Sequence, residues 1–306
     1  MRRYRENNWV FLITIITVMF AGFIPFGAYV RNFGLLLVIS QLIIALPSII
    51  YLYVTRQNVR EKIGFRKVSL VNILLLALFA YCLSPVMTFI NALSRLFVKD
   101  VITNTMASVA QENSFLVSLF FIAVIPAVFE EGVYRGIFYQ EYRKVNPLKA
   151  ILLSALLFGL MHGNLNQFSY AFCMGLIFAL VIEATDSILS AMVIHFLING
   201  FSVVLLYVLP LLSENYEQLL SSADETLTMD ISYVLITYGI RALIFGVVGF
   251  FILKRIAQNC NRWEYMKQLF TRKKAEGKVS KESLVTTPLI IAIGICIVNI
   301  IAQEFL

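Results

Sequence analysis

The chain has 306 residues, of which 59% are apolar and 14% charged, with a mean hydropathy of +0.82. This balance excludes a soluble globular domain. Four scattered cysteines, Cys82, Cys173, Cys260 and Cys296, form no C-x-x-C pair and read as packing residues, not as a metal knuckle or redox dithiol.

In chain order, apolar stretches with few or no charges recur at about 9–30, 34–54, 68–89, 114–139, 148–162, 168–182, 188–212, 231–253 and 285–301. They predict an all-α, polytopic transmembrane helical bundle of about eight or nine spans. The fifth and sixth stretches are short, so eight spans with one re-entrant segment is the alternative count. The first stretch follows Arg2, Arg3 and Arg5 as a signal peptide would. It is longer than a signal h-region and lacks a small-x-small cleavage site, so it reads as a retained span.

Basic residues cluster at the N-terminus, in 55–67 (Arg56, Arg60, Lys62, Arg66, Lys67), at Arg143, Lys144 and Lys149, and in 254–282 with nine Lys and Arg. Nine spans put all of these on one side, which the positive-inside rule assigns to the cytoplasm together with the N-terminus. The opposite loops are neutral or acidic, most clearly 213–230 with Glu214, Glu217, Asp224, Glu225 and Asp230. The net charge of +7 is therefore topological and implies no nucleic-acid partner. The acidic turn from Glu183 to Asp186 on the basic side departs from the pattern. With no internal repeat and no long linker, residues 1–306 read as a single integral membrane domain. In the basic loop, Trp263, Tyr265 and Phe270 fit either contact with an anionic leaflet or a solvated hairpin.

An ionisable side chain inside a span costs about 2.5 to 3.5 kcal/mol on insertion scales, so each one needs an explanation. The fourth span carries Glu130, Glu131 and Arg135, the fifth His162, the seventh His195 with Asn199, and the eighth Arg241. Both histidines of the protein lie in spans. Residues four apart share a helix face, so Glu131 is expected to pair with Arg135 as structural support, which leaves Glu130 as the carboxylate free for chemistry. The same spacing aligns His195 with Asn199 and Phe158 with His162. At 1.5 Å per residue from the basic side, Glu130, His162, His195 and Asn199 lie at depths of about 18, 21, 10 and 16 Å, as one polar site would require. They are expected to line one cavity, open to the cytoplasm. Gly132 with Gly136, and Gly159 with Gly163, have the spacing of close helix packing.

Taken in order, Glu130-Glu131-x-x-x-Arg135, Phe158-x-x-x-His162 and His195-x-x-x-Asn199 resemble the three motifs of the CPBP family (CAAX proteases and bacteriocin-processing enzymes, also called Abi), which includes the type II CAAX prenyl endopeptidases. The resemblance covers a core of about 114–205. It implies an intramembrane endopeptidase in which Glu130, with His162, activates a water while His195 and Asn199 hold the oxyanion. Glu131, Arg135 and Phe158 would support that site. The partners implied are a peptide or lipidated-peptide substrate and membrane lipids, in a multi-pass protein of a bacterial plasma membrane. No cofactor is expected. Zinc is the alternative, since Glu plus two His could ligate a metal, but no H-E-x-x-H is present and Asn is a poor zinc ligand. Two further function classes stay open: a membrane transporter or proton relay using the same groups, and an inactive bacteriocin-immunity or scaffold relative.

Overall fold

A computed structural model describes residues 3–100, 102–213, 230–271 and 283–305. The acidic residues 214–229 and the basic residues 272–282 lie outside the described residues. The described chain is helical throughout: α1 (Arg3–Gly22), α2 (Phe33–Val54), α3 (Leu70–Arg95), the short α4 (Thr103–Glu112), α5 (Phe115–Tyr142), α6 (Pro147–Met161), α7 (Leu165–Thr185), α8 (Ile188–Leu212), α9 (Ile231–Asn259), the short α10 (Trp263–Thr271) and α11 (Thr287–Phe305). Among the described residues, seven helices are long and apolar enough to cross a bilayer, namely α2, α3, α5, α7, α8, α9 and α11. The protein is a polytopic helical bundle and a multi-pass membrane protein.

The two other apolar stretches behave differently. The first becomes α1, ending at Gly22 well before residue 30, with a separate helical turn at Phe26–Tyr29. The fifth becomes α6, whose 15 residues rise about 22 Å against a hydrocarbon core of about 30 Å. By contrast the sixth stretch, short by apolarity, is a helix of 21 residues, because Asn166 and Gln167 belong to its first turn.

The basic loops gather at one end of the bundle. There the Arg3 guanidinium donates to Gln57 (3.1 Å), Tyr142 donates to Asn8 (2.6 Å), Asn8 donates to the Leu284 carbonyl (2.9 Å), and Ser187 donates to the Arg66 carbonyl (2.6 Å). A buried ionic layer closes this end. Glu183, fully buried, accepts from Tyr139, from Arg143 at 2.9 Å and from Arg262 at 3.3 Å. Asp186 pairs with Arg66 at 2.5 Å and with Arg143 at 3.2 Å, while Glu141 pairs with Lys62 and with Lys144. Burial lowers the Lys62 ammonium from its ordinary value, an effect that Glu141 opposes. The acidic turn that breaks the charge pattern of the loops is thus the acceptor for their arginines.

At the opposite end α4 lies against the starts of α2 and α5. Asn32 donates to Asn113 (3.1 Å), the Phe33 amide to Glu112 (2.9 Å), and Tyr207 to the Asn113 carbonyl (2.6 Å).

Candidate active site

α5 delivers the two glutamates, and it is not a regular α-helix. Two stretches, Phe120–Val124 and Gly132–Tyr139, are π-helical, on either side of the α-helical turn that carries Glu130 and Glu131. A π turn widens the helix and loosens its carbonyls from the regular ladder, so they can accept from side chains. Both stretches show this. The Ile122 carbonyl accepts from Asn199 Nδ2 at 3.0 Å and the Ile137 carbonyl from Asn7 Nδ2 at 2.7 Å. The Asn199 bond fixes which end of the amide is nitrogen and leaves its second N–H for the cavity.

Glu131 and Arg135 pair at 3.2 Å with both side chains fully buried. The same Glu131 oxygen lies 3.0 Å from His195 Nδ1, a contact that helix spacing alone does not reveal. A carboxylate at Nδ1 accepts a hydrogen bond from a protonated Nδ1 and turns Nε2 toward Glu130, whose Oε2 lies 3.8 Å away. His195 thus spans both glutamates. Its ring stacks on Phe178 at 5.2 Å, and the Arg135 guanidinium sits over Phe158 at 4.2 Å. Phe158 in turn stands edge-on to His162 (4.9 Å) and to His195 (6.3 Å), so it is the wall between the two imidazoles.

Gln41, an amide inside an apolar run and so expected to hydrogen-bond between helices, has Glu130 as its partner. Gln41 of α2 donates from Nε2 to Glu130 Oε1 at 2.6 Å, and the Gln41 carbonyl oxygen is buried with no hydrogen-bond partner. The signal in the sequence is a lone amide in an apolar run, which by itself does not distinguish a helix-packing contact from a site residue.

His162 caps α6 at its C-terminal end, where the chain turns back inside the bundle through Gly163 at φ +76°. A turn at this depth is tolerated only if its polar groups are satisfied or line a cavity. Asn164 donates to the His162 carbonyl (3.0 Å), the Gln167 amide donates to Asn164 (2.8 Å), and the Leu165 amide donates to Glu304 of α11 (3.3 Å). His162 Nδ1 lies 2.8 Å from the Phe158 carbonyl, which makes Nδ1 the protonated nitrogen and Nε2 the one available to a ligand. Gly163 therefore serves the turn. Gly159 is the packing glycine of its pair, with an added Cβ 3.0 Å from Phe168, and in the other pair Gly136 is close-packed against Ile63 whereas Gly132 faces open space.

Glu130, His162, His195 and Asn199 all line one cavity of about 920 Å³, as do Gln41, Tyr134 and Phe158. Within it Glu130 Oε2 lies 3.8 Å from His195 Nε2. The cavity does not reach the basic end. It runs the other way, to Asp100, Thr103 and Met106 beside α4.

Residues 112–201 match the family model of the Rce1-like type II CAAX prenyl endopeptidases. This segment is similar to the core of the CPBP family. The chain is also similar to the membrane-embedded CAAX protease MroQ of Staphylococcus aureus (strain USA300), with 29% identity over 113 residues, 35% of this chain and 46% of that relative. The match thus spans about half the length of the relative. No solved structure matches the chain. All four candidate catalytic residues, Glu130 on α5, His162 capping α6, and His195 and Asn199 on α8, lie within the matched segment, whereas Gln41 lies outside it.

Zinc is implied as an alternative by the family resemblance. Among the described residues, no three His, Cys, Asp or Glu side chains converge as a metal ion would need. Glu131 is committed to Arg135 and His195, and the groups around Glu130 include two amides, Gln41 and Asn199, which are poor zinc ligands. Glu130, His162 and His195 in the same cavity are donor types that zinc accepts, and the two amides beside them are not.

Proposed function

We propose that the protein is an intramembrane peptide hydrolase that works by carboxylate-activated water, with Glu130 as the base. The observation that carries this reading is the Glu130 carboxylate, held by Gln41 in a cavity that also contains two imidazoles with their Nδ1 atoms fixed and an amide with one N–H to spare. Glu130, assisted by His162 Nε2, takes a proton from a water whose oxygen attacks the peptide carbonyl carbon. The oxyanion that forms accepts from Asn199 Nδ2 and from His195 Nε2 when that ring carries both protons. One such donor is worth about 2.7 to 4 kcal/mol in a dry site. The proton on Glu130 then passes to the leaving nitrogen, the C–N bond breaks, and a carboxylate and an amine are released. Glu131 acts through His195 as a positioning residue. The substrates are peptides attached to or embedded in the membrane, and the orientation places the basic loops in the cytoplasm.

The test compares the membrane-fraction peptides of cells carrying the native protein with those of cells carrying Glu130→Gln at equal abundance. Uncleaved precursors should accumulate, and specific new N-termini should disappear. Identical peptide profiles in the two strains would overturn the reading. Cleavage by the purified protein should also persist after exhaustive chelation. Loss on chelation with recovery on adding zinc would show that a metal carries the reaction.

A further inference from the structure

The cavity has a definite polarity across the bundle, and it is opposite to the one expected from sequence. Ala77 of α3 and His195 of α8 each lie seven residues from the basic end of their helix, and Tyr134 of α5 lies eight, which leaves about 10 Å of packed protein between the cavity and that end. The ionic pairs built on Glu183, Asp186 and Glu141 lie beyond it, at the ends of α7 and α5. Toward the other end the lining includes Ser84 and Asn91 of α3, Asn166 of α7, Leu205 of α8 and Met106 of α4. The Lys and Arg distribution puts the closed end in the cytoplasm.

We propose that the catalytic cavity is entered from the extracytoplasmic side, and that its substrates are polypeptide segments presented at that face and not lipid-modified chain ends in the cytoplasm. This rests on the peptidase reading for the word substrate, but the direction of access does not. A volume of about 920 Å³ is at the upper end of ligand pockets, about 300 to 1,000 Å³, and suits several residues of an extended chain. The wall gives such a chain both kinds of contact it needs. Apolar side chains from α3 and α8 receive its side chains, and Ser40, Gln41, Ser84 and Tyr170 offer hydrogen bonds to its amides. The free Gln41 carbonyl oxygen, an acceptor beside the Glu130 carboxylate, is placed to receive a substrate N–H next to the bond that breaks. A cytoplasmic chain end would have to displace the paired Glu183 layer to reach the same atoms.

Thiol labelling of the full chain in intact spheroplasts reads this directly. Cys82, Cys173, Cys260 and Cys296 are replaced, and single cysteines are placed in the cavity wall (Ser84→Cys, Met106→Cys) and, as a reference, at the exposed Lys144 of the basic end (Lys144→Cys). A membrane-impermeant charged maleimide should label both cavity positions in intact spheroplasts at least fivefold more than Lys144→Cys, which should react only after permeabilisation. Two cavity positions guard against one misfolded variant, and labelling in denaturant normalises each. The proposal is overturned if the cavity cysteines react only after permeabilisation, if they react in neither state, or if Lys144→Cys reacts in intact spheroplasts. Adding Glu130→Gln to the same variants should leave labelling unchanged, so a failure of the peptidase reading is seen separately in the peptide profiles.

Discussion

Glu130 and Glu131 are adjacent in sequence, yet their surroundings assign them different work. Glu130 faces the cavity with Gln41 on one oxygen, and Glu131 is fully buried between Arg135 and His195. Glu130→Gln should abolish cleavage and leave the melting temperature nearly unchanged, since the amide keeps the shape and the base is lost. Glu131→Gln leaves Arg135 an unpaired buried cation, a loss that typically costs about 3 to 5 kcal/mol, and it also frees His195 to turn. It should therefore lower both the melting temperature and the turnover of the molecules that remain folded, whereas Arg135→Gln combined with it should restore stability more than turnover. A Glu131→Gln protein as stable and as active as the native one would refute the bridging role. Gln41→Leu should cut kcat about tenfold to a hundredfold, because a hydrogen bond to a charged group is worth about 1.5 to 3 kcal/mol and each 1.36 kcal/mol is a factor of ten. The Glu131–Arg135 pair was legible in the sequence because both partners lie on one helix at a fixed spacing. The Gln41 and His195 contacts were not, because they depend on how separate helices are rotated against one another.

At the scale of the helix, apolar blocks located the elements, and fine structure within them escaped. The π-helical stretches of α5 leave no compositional trace, yet they put the Ile122 carbonyl within reach of Asn199. The brevity of α6 was visible in its apolarity. Its consequence, a catalytic-layer turn sunk inside the bundle, needed the polar contacts from Asn164 and Glu304 to be recognised. Glycine spacing was an imperfect guide to packing. An added Cβ at Gly175 of α7 would lie 2.8 Å from the Ala155 backbone of α6, whereas at Gly132 it would meet nothing within 4 Å. Gly175→Ala should thus push α6 and α7 apart, costing about 1 to 3 kcal/mol and displacing His162, while Gly132→Ala should be tolerated. Thermal unfolding and turnover of the two variants side by side check this. Equal effects would mean that the α6–α7 approach does not set the position of His162.

For the whole molecule, the two ends differ in kind: one holds the cavity and the other a buried ionic layer. The sequence showed that basic residues share an end, but not that the acidic turn 183–186 joins the three loops that carry Arg66, Arg143 and Arg262. Glu183 is the centre of that layer, with Tyr139, Arg143 and Arg262 all donating to it, and it lines no part of the cavity. Removing its carboxylate strands two guanidinium groups whose side chains are 14% and 22% exposed, so part of the charge is recovered by water and by Asp186. Glu183→Ala should then destabilise by less than the full loss of a fully buried partner, on the order of 2 to 3 kcal/mol. Glu183→Gln keeps one carbonyl acceptor for Arg143 or Tyr139, so its effect should be smaller. Neither change touches a group in the catalytic layer, so kcat measured on the folded fraction should stay within about twofold of the native value, well under the factor of ten that 1.36 kcal/mol represents. Melting temperature and turnover, measured in the same detergent, separate the two quantities. A Glu183→Ala protein that melts like the native one but has lost turnover would show that the ionic end takes part in catalysis and does not merely close the bundle.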